Sequence, residues 1–376
     1  MSTESALPDH PTTDGASDDG PEVRSHQDFG PADLCVVVCT YNGAQRIGAC
    51  LAALVAQETS VEIVVVDDGS HDGVAEVAAA FDVTVEALSE NQGLSAARNH
   101  GIRVTSSALV AFCDDDCVPP PDWTTQLLAT WNQVGAEVVG VGGEVIGAGR
   151  STLAERYLDD NNPIAPLEFA MIDPSLSHRL MRQVRQGAPK GLVNPASTAY
   201  APVASLVGAN MSFRRDALDV IGGFDDSIRF GGDEEYVCTE LRGAFSSTCL
   251  MVAPKIVMRH KFDPHLRDNW RRRYSYGKGS GRRWVREGGL PATSVLGVTA
   301  AGAAVLAAPL GAAWAIGACL GVGLLPRSGW VSRAVRSGEW SQAAYPVCAM
   351  VDDACDVAGF FVGAVRQIES RRRPAP

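Results

Sequence analysis

At 376 residues, with 46% apolar composition and a net charge of −12, the chain can bury a full core and is too apolar to be disordered throughout. The acidic balance argues against a nucleic-acid partner. The charge is uneven, however: residues 1–33 carry eight acids against Arg24, whereas residues 270–376 carry fourteen Lys/Arg against six Asp/Glu. A basic last third that also holds a long apolar run points to an anionic membrane surface. The ten cysteines show no C-x-x-C or zinc spacing, and read as reduced small apolar residues even where Cys113 and Cys117 flank an acidic cluster. No charged-then-apolar leader opens the sequence, so secretion is not expected.

Residues 1–32 are acidic and almost without large apolar groups, and are expected to be disordered. Leu34–Cys39 reads as a strand buried on both faces, broken by Thr40-Tyr41-Asn42-Gly43. Ile47–Gln57 has helical spacing. Glu62–Val66 is a second buried strand, ended by Asp67-Asp68-Gly69-Ser70, and Ser70 or Asp72 is expected to cap a helix running to Phe81. A short strand follows at Val83–Ala87, then a turn at Asn91-Gln92-Gly93 and a helix from Ser95 to Val104 carrying Arg98 and Asn99. Leu109–Cys113 is the next strand, Pro119–Pro121 opens a helix to about Trp131, and Glu137–Val141 is a further strand. This alternation implies right-handed crossovers and a mostly parallel, Rossmann-like sheet flanked by helices.

Residues 150–205 are Pro-rich and irregular, the kind of excursion that covers a site. Order resumes over Ser205–Arg214. A short helix spans Asp216–Ile221, another follows Gly231-Gly232-Asp233-Glu234-Glu235, and a strand at Ile256–Arg259 ends at His260. A basic run from Arg271 to Arg283 comes next, fit either to clamp a diphosphate or to form a positive membrane collar. Residues 288–326 carry no charge, a run longer than the roughly 20 residues that span a bilayer, but Pro309 interrupts it. Arg282, Arg283 and Arg286 precede the run; Arg327, Arg333 and Arg336 follow it. Positive flanks favour the cytoplasmic side, so both ends should lie there. The expectation is a re-entrant or hairpin element bent near Pro309; the alternative is a helix pair buried on a soluble cytoplasmic domain. Over Ala343–Val365, Asp352, Asp353 and Asp356 share one side, which suits an interfacial or soluble helix.

The chemistry concentrates at Asp114-Asp115-Asp116, three carboxylates ending an apolar strand. Such adjacent anions repel unless a cation sits among them, and Mg²⁺ or Mn²⁺ takes carboxylate oxygens together with substrate phosphates. A solvated acidic turn is the plainer alternative. Tyr41 can stack on a base, one Asp can accept a base N–H, and metal-bound carboxylates can hold a diphosphate. Neither G-x-G-x-x-G after the first strand nor G-x-x-x-x-G-K-[ST] occurs, which leaves a nucleotide-sugar donor as the reading.

Val36-Val37-Val38-Cys39-Thr40-Tyr41-Asn42, Val64-Val65-Val66-Asp67-Asp68-Gly69-Ser70 and Phe112-Cys113-Asp114-Asp115-Asp116 resemble the signatures of family 2 glycosyltransferases with the GT-A fold. Asn91 to Asn99, Gly208 to Arg215 and Ile221-Gly222-Gly223-Phe224-Asp225 continue the resemblance in order, over about residues 34–262. It implies donor contacts at Thr40, Tyr41, Asn42, Asp68, Arg98, Asp114 and Asp115, with Tyr41 stacked on the base, Asp68 on its N3–H and Asp115 near the ribose. It implies a Mg²⁺ or Mn²⁺ site at Asp114 and Asp116, which His260 would complete. It also implies an inverting reaction in which Asp233 deprotonates an acceptor hydroxyl. Gly232 replaces the family's customary Glu, which leaves Glu234 as a competitor for the base and helix capping as the plain alternative for the stretch. The domains implied are a tail over 1–32, a GT-A domain over 33–265 and a helical, membrane-associated region over 266–376. An inactive nucleotide-sugar-binding or membrane-docking protein and a nucleotidyltransferase remain the competing readings.

Overall fold

The computed structural model describes residues 28–161, 200–229, 231–288 and 294–372. Most of the acidic tail, and residues 162–199 of the expected excursion, lie outside those residues. Strand β1 (Leu34–Thr40) leads through α1 (Ile47–Val55) to β2 (Glu62–Asp67). Helix α2 (Val74–Ala78), β3 (Thr84–Ala87), α3 (Leu94–Val104) and β4 (Leu109–Asp114) follow. β1 pairs in parallel with β2 and β4, and β2 with β3. Alternate residues of β1 enter opposite cores. Leu34, Val36 and Val38 pack with Ile47 and Leu51 of α1, whereas Cys35 and Val37 pack with Ala97 and Ile102 of α3. This two-sided burial is why the strand reads as an unbroken apolar run.

After β5 (Cys117–Val118), α4 (Trp123–Trp131), β6 (Gly140–Gly147), α5 (Leu153–Asn161) and β7 (Ala201–Pro202), the sheet becomes mixed. β8 (Met211–Arg214) runs antiparallel to both β4 and β6. Helices α6 (Arg215–Ile221) and α7 (Asp233–Ala244) then lead to β9 (Leu250–His260), which is parallel to β6 and antiparallel to β5. Among the described residues nine strands form one sheet, in the order β3-β2-β1-β4-β8-β6-β9-β5 with β7 on β9. The expected flanked Rossmann-like sheet is present, parallel in its first half. β9 begins at Leu250, earlier than its apolar core suggests, and β6 runs on to Gly147 because its glycines, poor strand formers, sit against Leu250 and Ile256.

The C-terminal region comprises α8 (Leu266–Glu287), α9 (Val295–Ala307), α10 (Ala312–Leu324), α11 (Gly329–Ser337) and α12 (Tyr345–Arg372). α8 and α12 lie along one another on a seam of glycines. A Cβ on Gly277 would sit 2.1 Å from Asp356 O, one on Gly281 2.0 Å from Phe360 O, and ones on Gly359 and Gly363 2.1 Å from Tyr274 O and Lys278 O. Small residues four apart let two backbones touch, as they do in membrane helix pairs. Three of the acids of α12 act as ties, within this region and from it to α5. Asp352 accepts from Tyr157 Oη at 2.7 Å and Asn269 Nδ2 at 2.7 Å, Asp353 pairs with Arg327, and Asp356 accepts from Ser294 N at 2.9 Å.

The seam is testable. Gly281→Leu should destabilise the chain by about 1–3 kcal/mol or more through overpacking, read as a lower thermal midpoint. An unchanged midpoint would mean that the two helices do not approach so closely.

Candidate active site

The strand ends of β1, β2 and β4 meet at one edge, the place where open α/β sheets bind ligands. The loop after β1 is held by the loop after β2. Asn42 N donates to Ser70 Oγ at 2.8 Å, Ala44 N to Asp72 Oδ2 at 2.9 Å, and His71 N to Asn42 Oδ1 at 3.0 Å. The expectation that Ser70 or Asp72 caps a helix is therefore corrected. Gly73 is the N-cap, α2 is one short turn, and both side chains reach back to fix the loop that carries Tyr41. The Tyr41 ring is 46% exposed and free to stack. Asp68 is buried beneath the next turn, where it accepts from Gln92 N at 2.7 Å, Gly93 N at 2.9 Å and Asn91 Nδ2 at 2.9 Å.

The three carboxylates after β4 have three different situations. Asp115 turns inward, accepting from Thr40 Oγ1 at 2.6 Å and from Arg46 at Nε (3.0 Å) and Nη2 (2.8 Å). The polar groups of Thr40 and Asp115 are thus taken up by one another, and they pin the end of β1 to β4. Asp114 points outward, with Arg98 Nη2 at 3.5 Å from its Oδ1. Burial first, then Asp116 and Asp115, raise the pKa of Asp114 against the pull of Arg98 and His260. Asp116 faces His260, whose Nε2 lies 3.1 Å from Asp116 Oδ1. Burial would raise the Asp116 pKa, but His260 and then Arg272 and Arg46 outweigh it and hold the carboxyl below its ordinary range.

His260 reaches this position by pairing of backbones. β5 follows the Asp triplet directly and pairs Cys117 with His260, while Lys261 N donates to Asp116 O at 2.9 Å. The contact with Asp116 Oδ1 is close without being a hydrogen bond, and among the described residues neither that buried oxygen nor His260 Nδ1 has one. Cys117 Sγ is near both. Burial pushes its thiol up to about 12, so it stays protonated and adds little to a site for a hard ion. Asp116 and His260 are thus the converging donors suited to Mg²⁺ or Mn²⁺, and the unbonded Asp116 oxygen fits that use.

Arg98 organises the opposite side. It is 3% exposed, with its guanidinium 5.7 Å from the Phe112 ring and 5.5 Å from the Phe224 ring. Nη1 binds Asp233 Oδ2. Burial opposes the Arg98 charge, but Asp233 and then Asp114 raise its pKa further. Asp233 begins α7 directly after Gly232, which has a left-handed φ of 86°. A side chain at Gly232 would be strained, and its Cβ would meet Arg283 Nη1 at 2.5 Å, so the glycine there has a local cause. Asp233 is fully buried; one oxygen is on Arg98 and Oδ1 has no hydrogen bond among the described residues, an arrangement unlike helix capping. Glu234 is half-buried beside it, and burial first and Asp233 next push its pKa well above the usual carboxylate range. Asn99 locks the loop before α7, with Oδ1 accepting from Phe224 N at 2.9 Å and Nδ2 donating to Phe224 O and Asp226 Oδ1, both at 2.8 Å.

The predicted residues therefore fall at one sheet edge, where Tyr41 and Asn42 are exposed and Thr40, Asp68, Arg98, Asp115, Asp233 and His260 are buried. Arg46 carries no signal in the sequence, whereas Arg272 and Tyr276 fall in the run Arg271–Arg283 that is fit to clamp a diphosphate. The last two lie on α8, where Arg272 donates to Asp263 Oδ2 at 2.8 Å and is influenced by Asp116 and Asp114. Their only sequence signal is the basic run itself.

Residues 35–222, half of the chain, match the model for Glycosyl transferase family 2, and the chain belongs to that family. It is a glycosyltransferase with the GT-A arrangement of sheet and flanking helices. It is 28% identical to Glycosyltransferase AglE of Haloferax volcanii over 260 residues, covering 67% of this chain and 74% of that one. It is 31% identical to succinoglycan biosynthesis protein ExoU of Rhizobium meliloti over 175 residues, 44% of this chain and 50% of that one. The structure also aligns with mannosyltransferase PcManGT of Pyrobaculum calidifontis, solved with GDP-Man and Mn²⁺, at a TM-score of 0.48 and 19% identity over 90% of each chain.

Removing Arg98 alone strands a buried carboxylate. Arg98→Met should cost about 3–5 kcal/mol, and Arg98→Met/Asp233→Leu should recover much of that, as read by denaturant unfolding. Additive losses in the double variant would show that the pair is not a coupled unit.

Proposed function

We propose that this chain moves a sugar from a nucleotide-diphosphate sugar to an acceptor hydroxyl with inversion, through residues 33–265. The observation that carries the reading is the convergence of Asp114, Asp116 and His260 with the Arg98–Asp233 pair at one sheet edge. Tyr41 stacks on the base and Asp68 accepts a base N–H, with Asn42 shaping the loop and Thr40 and Asp115 fixing the strand ends under the donor. Mg²⁺ or Mn²⁺, held by Asp114, Asp116 and His260, would neutralise the departing diphosphate. Arg98 holds Asp233 so that its unpartnered Oδ1 is left to accept a proton. The acceptor oxygen attacks the anomeric carbon, the bond to the diphosphate breaks on the opposite face, and the hydroxyl proton passes to Asp233. Glu234, next to Asp233 on α7 and half-buried beside it, is the competing base.

Asp116→Asn should abolish metal-dependent nucleotide binding while leaving the thermal midpoint near that of the wild type. Asp233→Asn should lower kcat by about 10²–10⁴, the range typical of a lost general base, with little change in donor affinity. If Glu234→Gln is the inactive variant and Asp233→Asn turns over, the base is misassigned. Release of pyrophosphate instead of a nucleoside diphosphate would mark a nucleotidyltransferase, and binding without turnover an inactive binder.

We further propose that the C-terminal region docks this enzyme on the cytoplasmic face of the cell membrane. Among the described residues no helix is long and apolar enough to cross a membrane. α9 and α10 instead fold back on one another around the 3₁₀ turn Ala308–Leu310, which contains Pro309. At and beside that turn Val305, Leu306, Leu310, Trp314 and Ile316 are 59–82% exposed. Apolar side chains grouped on a hairpin tip favour insertion in an interface, with Trp at headgroup depth. The full chain should float with phosphatidylglycerol vesicles, and Leu306→Glu/Leu310→Glu should remain with the unbound fraction. Equal flotation of that variant would exclude the hairpin as the anchor.

A further inference from the structure

The basic run of α8 divides between two places. Arg272 donates to Asp263 and feels the charges of Asp116 and Asp114, whereas Lys278, Arg282 and Arg286, four residues apart, form one stripe. That stripe lines a cavity of about 560 Å³ together with Arg283, with Arg229 from the loop before α7, and with Arg366 from α12. Arg366 faces α8 because the glycine seam brings the helices together: Gly363 lies against the Lys278 carbonyl. Among the described residues no carboxylate lines the cavity. Arg283 and Arg286 reach acids at the outer limit of ion pairing, Glu235 at 3.9 Å and Asp225 at 4.0 Å, and Arg286 also donates to Ser227 Oγ at 2.9 Å. Arg229 donates to Asn91, and Lys278 sits 5.0 Å from the Tyr274 ring centre. Arg282 and Arg366 have no hydrogen bond or ion pair with the described residues.

Six cations around one cavity repel one another, and a multiply charged anion removes that repulsion. Guanidinium forks match phosphate oxygens in pairs, while a single carboxylate would leave most of the six unanswered. The volume is that of a ligand pocket and exceeds one phosphate. Its location relates it to the reaction. Gly231 lines the cavity, Arg283 Nη1 lies 3.5 Å from Gly232 O, and the next residue is Asp233. The donor diphosphate has a separate place at Asp114 and Asp116.

We propose that this pocket binds a phosphate or diphosphate carried by the acceptor, and so brings the acceptor hydroxyl to Asp233. The proposal rests on the glycosyltransferase reading above, with Asp233 on the acceptor side. Arg283, between the stripe and the Gly231–Gly232 turn, links the bound anion to the loop that positions the base.

The test uses the full chain and inorganic pyrophosphate in EDTA, so that no metal holds the probe at the donor edge. Calorimetry should show binding by the wild type and at least tenfold weaker binding by Arg282→Gln/Arg366→Gln. The charge-matched Arg103→Gln/Arg336→Gln, on exposed positions elsewhere, should bind as the wild type does. No binding in EDTA, or equal loss in both double variants, would overturn the proposal. Vesicle flotation separates a headgroup from an acceptor phosphate: Arg282→Gln/Arg366→Gln should float with phosphatidylglycerol vesicles as the wild type does. Lost flotation with pyrophosphate binding retained would make the cations a membrane collar and refute the acceptor site. Nucleoside diphosphate binding with Mn²⁺, measured in parallel, should be equal in wild type and Arg282→Gln/Arg366→Gln. Its absence from the wild type would count against the glycosyltransferase reading and not against the pocket.

Discussion

Arg98 carries a full charge into the interior, and the site is built around what that requires. A buried guanidinium needs carboxylate partners and a surface for its flat faces. Asp233 and Asp114 supply the first, Phe112 and Phe224 the second. These four residues come from α7, the end of β4, β4 itself and the loop before α7. One side chain on α3 thereby fixes the distance between the Asp114–Asp116 edge and the residue proposed as base. The loop geometry follows from the same requirement: Asn99, one residue on, holds Phe224 by its backbone, and Gly208 lies so close to the guanidinium that a Cβ there would be 2.7 Å from Nη2.

The Asp triplet shows how neighbouring identical residues acquire different tasks. The turn that follows β4 sends Asp115 inward, where Thr40 and Arg46 satisfy it, and leaves Asp114 and Asp116 at the edge. The pairing of β5 with β9 then sets His260 opposite Asp116. The antiparallel return of a late strand closes a site begun by the parallel half of the sheet, so neither half makes it alone.

Much of this is legible in the sequence. The buried strands β1, β2 and β4 announce themselves as apolar runs, and Asp68, Arg98, Asp114, Asp116, Asp233 and His260 stand in motifs whose order survives. What stays hidden is set by long-range packing. Ser70 and Asp72 look like helix caps because local spacing cannot show that the β1 loop offers free N–H groups nearby. Asp115 looks like its neighbours until strand direction is known. The glycines of α8 and α12 read as helix-weakening residues because their purpose, close approach of two helices 80 residues apart in sequence, appears only when both are placed (Gly281 against Phe360 O). The apolar run around Pro309 does reveal its bend, since proline interrupts a helix by a local mechanism.

The central claim is that the sheet edge binds a nucleotide diphosphate through a divalent ion. A thermal-shift screen of the common nucleoside diphosphates, each with Mn²⁺, with Mg²⁺ and with EDTA, tests it directly, because a ligand selective for the folded state raises the midpoint by mass action. The account predicts that one base gives a clear rise with metal and little or none with EDTA. A rise of the same size in EDTA, or no rise with any nucleotide, would contradict it.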